Sequence, residues 1–101
     1  MKLYIDTADN KKVVIRFDKR QFEKAFDRNQ RSQILLTFID EKLKEIDKTV
    51  EDVSEIEVNT GPGSFTGLRV GLTVANTIGW DRNILVNGQN IKNEGPVVPT
   101  Y

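Results

Sequence analysis

Apolar positions recur with a period of two over the first quarter of the chain and then change period. Over residues 2–7 (KLYIDT), Leu3 and Ile5 alternate with polar neighbours. Over residues 11–17, Val13, Ile15 and Phe17 share one face. This alternation is that of half-buried strands, and Ala8-Asp9-Asn10 supplies a turn between them. After Asp18-Lys19, residues 21–26 space Phe22 and Phe26 for a third strand, although Phe22, Ala25, Phe26 and Asn29 also suit one face of a helix. From residue 30 to 47, Ile34, Leu35, Phe38, Ile39, Leu43 and Ile46 recur at three- and four-residue steps. That spacing predicts an amphipathic helix, with Asn29 as its N-cap.

Thr49 and Asp52 stand three apart, as a capped turn requires, and residues 54–59 read as a short strand through Ile56 and Val58. A glycine-rich loop follows. Residues 65–80 then carry Leu68, Val70, Leu72, Val74, Ala75, Ile78 and Trp80 with Arg69 as the lone charge, which predicts a helix apolar on nearly every side. Asp81-Arg82-Asn83 closes it, and residues 84–86 form a last strand ending at Asn87-Gly88. The tail 89–101, with Pro96 and Pro99, reads as extended or disordered. Three strands, helix, strand, helix, strand make an α/β domain over residues 1–88. Its mixed five-stranded sheet has an antiparallel front and two main helices.

Composition narrows the chemistry. The 101 residues include no cysteine and no histidine. Thiolate chemistry, disulfides and the commonest general base and metal ligand are therefore excluded together. With 38% hydrophobic and 30% charged residues the chain is apolar enough to pack one core. Nothing resembles a signal peptide or a membrane span, so a cytoplasmic, soluble globule is the expectation. The formal net charge is +0, but residues 11–31 hold eight Lys and Arg against three Asp and Glu. A solvated hairpin outweighs a tRNA-phosphate patch as the reading of that stretch.

Residues 59–71 read NTGPGSFTGLRVG, with glycines placed where a strand must turn sharply into a helix. As a Walker loop the segment fails, because no Gly-Lys-Ser/Thr follows. Gly61, Gly63 and Gly67 copy a dinucleotide fingerprint more nearly, yet that fingerprint belongs after the first strand of a parallel unit. The run Gly61-Pro62-Gly63-Ser64-Phe65-Thr66-Gly67-Leu68-Arg69 resembles the signature of TsaB proteins. Asp6 at the first strand's end, the helix around residues 36–44 and the strand at 84–87 are similar to that family as well. Ala8 stands where many relatives have serine. The family usually continues into a second subdomain that this chain lacks, so a shortened form is expected, although residues 96–101 are similar to the family's usual ending.

The resemblance implies a ribonuclease-H-like, actin-like ATPase domain acting as a non-catalytic dimerization subunit. Its partner would be a TsaD-like catalytic subunit in threonylcarbamoyladenosine modification of tRNA, with a TsaE-like ATPase as a further candidate partner. A homodimer is the alternative when the chain is alone, and neither a cofactor nor direct tRNA binding in isolation is expected. In such relatives the first two helices pack on the equivalent pair of the partner. That places Ile34, Leu35, Phe38, Leu68, Leu72 and Ala75 at an interface with Arg69 on its rim. The residues alone allow a second option, in which the Gly67, Gly71 and Ala75 ridge is covered by the first helix of the same chain. Asp6 stands where ATP-using cousins direct magnesium, and a small nucleotide-binding enzyme using Asp6 and the 61–67 loop is the rival function. Against it, Asp6 is read as a carboxylate capping the turn that follows, and Gly61, Pro62, Gly63, Ser64 and Gly67 as architectural.

Overall fold

The computed structural model describes residues 1–9, 11–25 and 32–100. Among them the sheet is built from β1 (Lys2–Asp6), β2 (Lys12–Phe17), β3 (Arg20–Ala25), β4 (Glu55–Val58) and β5 (Leu85–Val86), in the order β3-β2-β1-β4-β5. The first three strands pair antiparallel, as short turns dictate, while β4 joins β1 and β5 joins β4 in parallel. Alternation sets the register. Phe17, Leu3, Ile56 and Val86 form one row across the sheet, and Phe22, Ile15, Ile5 and Val58 form the next. The strand reading of residues 21–26 is therefore the one adopted, while Phe26 and the proposed cap Asn29 lie outside the described residues.

Two helices cover those rows. α1 (Ser32–Glu45) buries Leu35, Phe38, Ile39 and Leu43. It stops where Asp47 takes a left-handed φ of 58°, so that Lys48 N–H reaches the Leu43 carbonyl at 2.9 Å and Asp47 N–H the Lys44 carbonyl at 3.0 Å. α2 (Phe65–Arg82) lies between α1 and the sheet's parallel half, and it ends in the same way at Asn83, φ 56°. It runs two residues beyond the expected stop at Trp80, to the left-handed cap at Asn83. The Thr49/Asp52 box is formed, Thr49 N–H donating to Asp52 Oδ2 at 2.9 Å.

The opposite face of the sheet has no helix on it among the described residues and is polar. Arg16 lies over the Tyr4 ring at 4.3 Å, and Lys2 pairs with Glu57 at 2.7 Å. The basic stretch is thereby divided. Lys12 pairs across to Glu23 and Arg16 stacks on this outer face, whereas Lys24 sits over Phe38 on the helix side. Arg28 and Arg31 lie outside the described residues.

The tail is more ordered than its composition suggests. Asn90 caps a short helix, α3 (Ile91–Glu94), and Ile91 and Val97 both enter the core. Residues 96–100 then return along α2. The two Asn76 amide atoms pair with the Val97 N–H and C=O at 2.9 Å each, and Thr100 N–H donates to the Thr60 carbonyl at 2.7 Å.

Candidate functional site

The glycine loop is closed by the chain's own atoms. At the end of β1, Thr7 is the one fully buried polar residue among those described, and its hydroxyl donates to the Gly67 carbonyl at 2.6 Å. A Cβ at Gly67 would run into the Thr7 carbonyl, and one at Gly71 into the Thr7 hydroxyl. Gly79 likewise makes room for Val86 and Ile91. The Gly67 and Gly71 positions of the α2 ridge are therefore closed by the end of β1, and Ala75 is fully buried. Gly63 packs on Ala8, whose carbonyl takes the Ser64 N–H at 2.8 Å. Gly61 has φ 119° and sits against the Thr100 carbonyl and Leu68, with a cis peptide to Pro62. Ser64 caps α2 by accepting the Gly67 N–H at 3.2 Å.

Asp6 is equally committed. Its Oδ1 accepts the Ala8 N–H at 3.0 Å and the Asn59 side-chain amide at 3.1 Å, and its Oδ2 accepts the Tyr4 hydroxyl at 3.1 Å. Asn59 in turn accepts the Gly61 N–H at 3.0 Å, which ties the carboxylate to the loop. Burial, with Asp6 beside it, pushes the Tyr4 hydroxyl pKa up. No group of three or more His, Cys, Asp and Glu able to hold a metal ion occurs among the described residues.

Most of the expected interface residues face the chain's own interior. Leu35, Phe38, Leu68, Leu72 and Ala75 are buried within the chain, Leu35, Leu68 and Ala75 with no exposed surface at all. Leu35, Phe38, Leu72 and Ala75 belong to the core cluster and Leu68 is buried beside Gly61 of the glycine loop, so the apolar area of five of the six anchors is already hidden. Ile34 is half-buried, and Arg69 is exposed with its guanidinium 5.3 Å from the Phe65 ring centre. A charge at Ala75 would be buried without a partner and would unfold the domain, so it cannot probe an interface.

The open surface lies one helical step away. Trp80 is 55% exposed and Leu36 39%, and with Ile78 they line a groove of ≈ 500 Å³ edged by Asn76, Thr77, Asp81 and Arg82. On its far side Trp80 carries Lys92 over its ring at 5.5 Å. Residues 65–80 are apolar on nearly every side, so their pattern alone does not say which ring or chain stays in water. The signal for Trp80 was its neighbour, since a helix closing on Asp81-Arg82 turns its last ring toward water.

Residues 27–90 match the family model described as "TsaD: tRNA N6-adenosine threonylcarbamoyltransferase". Over 45 residues, 45% of the chain and 20% of the relative, the sequence is 42% identical to the tRNA threonylcarbamoyladenosine biosynthesis protein TsaB of Bacillus subtilis. Two solved structures share the fold. One is YeaZ from Pseudomonas aeruginosa (TM-score 0.69), and the other is a protein from the same organism described as similar to peptidase YeaZ (TM-score 0.70). Each is 25% identical over 84% of this chain, which spans only 41% and 40% of their lengths. The sheet order, the helix pair and a family match over more than half of the residues agree, and the chain belongs to the TsaD family as a TsaB-like member with the actin-like, ribonuclease-H-like fold.

Proposed function

We propose that this chain is a non-catalytic scaffold subunit in the threonylcarbamoyladenosine modification of tRNA, and that it binds a TsaD-like catalytic subunit through the outer face of α1 and α2. The observation that carries the reading is the groove around Leu36, Ile78 and Trp80, where a large aromatic and an aliphatic side chain stand in water with charge at the rim. Interface centres have this make-up, and tryptophan is prominent among the residues that dominate binding energy. The matching family model is that of the catalytic relative, so such a partner carries the same helix pair. Two like pairs can then meet about a pseudo-twofold axis, as the resemblance to TsaB implies.

The nucleotide-binding alternative asks the loop and Asp6 to hold phosphate and metal. Both are engaged in internal hydrogen bonds, which supports an architectural role for them. The test is co-elution of the purified chain with a TsaD-like protein, using wild type and Trp80→Asp. Both side chain and substitution are exposed, so the variant should melt as wild type does and lose the complex. A variant that still co-elutes would reject this face. Micromolar magnesium-nucleotide binding by the isolated chain would favour the enzyme reading instead.

A further inference from the structure

We propose that the groove along α2 holding residues 96–100 is an extended-peptide site, filled in cis by the chain's own tail and able to take the same segment of a second copy. The argument begins with Asn76. Its side-chain amide donates to the Val97 carbonyl and accepts the Val97 N–H, both at 2.9 Å, which is the donor and acceptor pair that a neighbouring strand would offer. Further along, the Thr60 carbonyl accepts the Thr100 N–H at 2.7 Å and the Thr100 hydroxyl at 3.2 Å. Between the two anchors the Val97 side chain is 9% exposed, whereas Val98 is 64% exposed. The site therefore reads backbone at both ends and one small branched side chain, with the other side chains left in water.

The ligand is suited to such reading. Pro96 and Pro99 carry no N–H and fix φ at two of five positions, so little freedom is lost on docking. Of the three remaining amides in 96–100, those of Val97 and Thr100 are both taken by the groove. The segment is also hinged. α3 and Gly95 are held independently, Gly95 N–H donating to the Ile91 carbonyl and the Gln89 amide donating to the Gly95 carbonyl. Gly95 itself has φ 85°, with open space where a side chain would stand, so this position is free of packing that would hold the chain beyond it. A groove that recognises this sequence on one chain will recognise it on another when the local copy is out.

The full-length chain carrying Val97→Asp tests this, because the change disables the tail and leaves the groove intact. Titrating it with the peptide GPVVPT, which stands for the tail of a second copy, should give saturable NMR shifts at the Asn76 side-chain amide and at the Thr60 and Gly61 backbone amides. Wild type should show none, since its tethered tail competes at an effective concentration in the millimolar range. Adding Asn76→Ala to the variant should abolish the shifts. Absence of saturable shifts, equal shifts with a scrambled peptide, or equal shifts on wild type would overturn the proposal. Should Val97→Asp fail to fold, hydrogen exchange on the wild-type chain decides. The Val97 and Thr100 amides should exchange about 100-fold faster than core-strand amides, by local opening. Exchange only with global unfolding would make the tail part of the core and overturn the proposal.

Discussion

The two ends of α2 differ in a way that inverts what the sequence advertises. At the N-terminal end stands the most recognisable motif in the chain, and its glycines are engaged by the chain's own atoms. Thr7 bonds to Gly67, Ala8 backs Gly63, Asn59 links Asp6 to Gly61, and Thr100 closes over Gly61. Toward the C-terminal end no motif exists, yet Trp80 and Leu36 stand half in water over an apolar groove. A motif records where the backbone must pass close to something, and in this chain that something is β1. A docking surface needs only unburied apolar area, which leaves no fixed spacing in a sequence.

The largest change should come from breaking the inward-facing end. Gly71→Val would drive a side chain into Thr7 and Ile5, and unfolding of the domain in a urea titration is expected, with a loss of about 3 kcal/mol or more. If the variant folds normally, the glycines are not packing residues. Next in size, Trp80→Ala should weaken the complex with a TsaD-like partner by about 2 kcal/mol, roughly 30-fold in Kd by calorimetry, with stability shifted by no more than about 0.5 kcal/mol. Thr7→Val keeps the shape but leaves the Gly67 carbonyl without its buried donor, and about 1–2 kcal/mol should be lost in the same urea titration.

The smallest effect concerns pH. The Tyr4 hydroxyl has its pKa raised by burial and by Asp6, so the neutral form is favoured in the folded state. The associated stability is fully present below the unfolded value near 10 and is lost as pH rises through the folded value. Tyr4→Phe should flatten the decline in stability above about pH 10 and leave the neutral range nearly unchanged, as pH-dependent melts would show.

Much of the fold was legible because it follows from period alone. Leu3/Ile5 and Val13/Ile15/Phe17 fix two strands and their inner face, and Leu35, Phe38, Ile39 and Leu43 fix the buried stripe of α1. What could not be read depends on single polar groups acting at long range. Asn76 holding Val97 and Asn87 holding the Val58 backbone at 2.8 and 3.0 Å leave no pattern in composition, and the first of them anchors a proline-containing tail that looks free on paper. The burial of most expected anchors within the chain itself was unreadable for a related reason. Both sides of α2 are apolar, and the sequence does not say which positions α1, β1 and the returning tail cover and which, as at Phe65 and Trp80, they leave exposed.

One titration examines both ends of α2 at once. With the chain labelled with ¹⁵N and a TsaD-like protein added, amide shifts should concentrate at Leu36, Thr77, Trp80 and Asp81, with those of Gly61, Gly63 and Gly67 nearly unmoved. Shifts gathered in the glycine loop and absent around Trp80 would contradict the account.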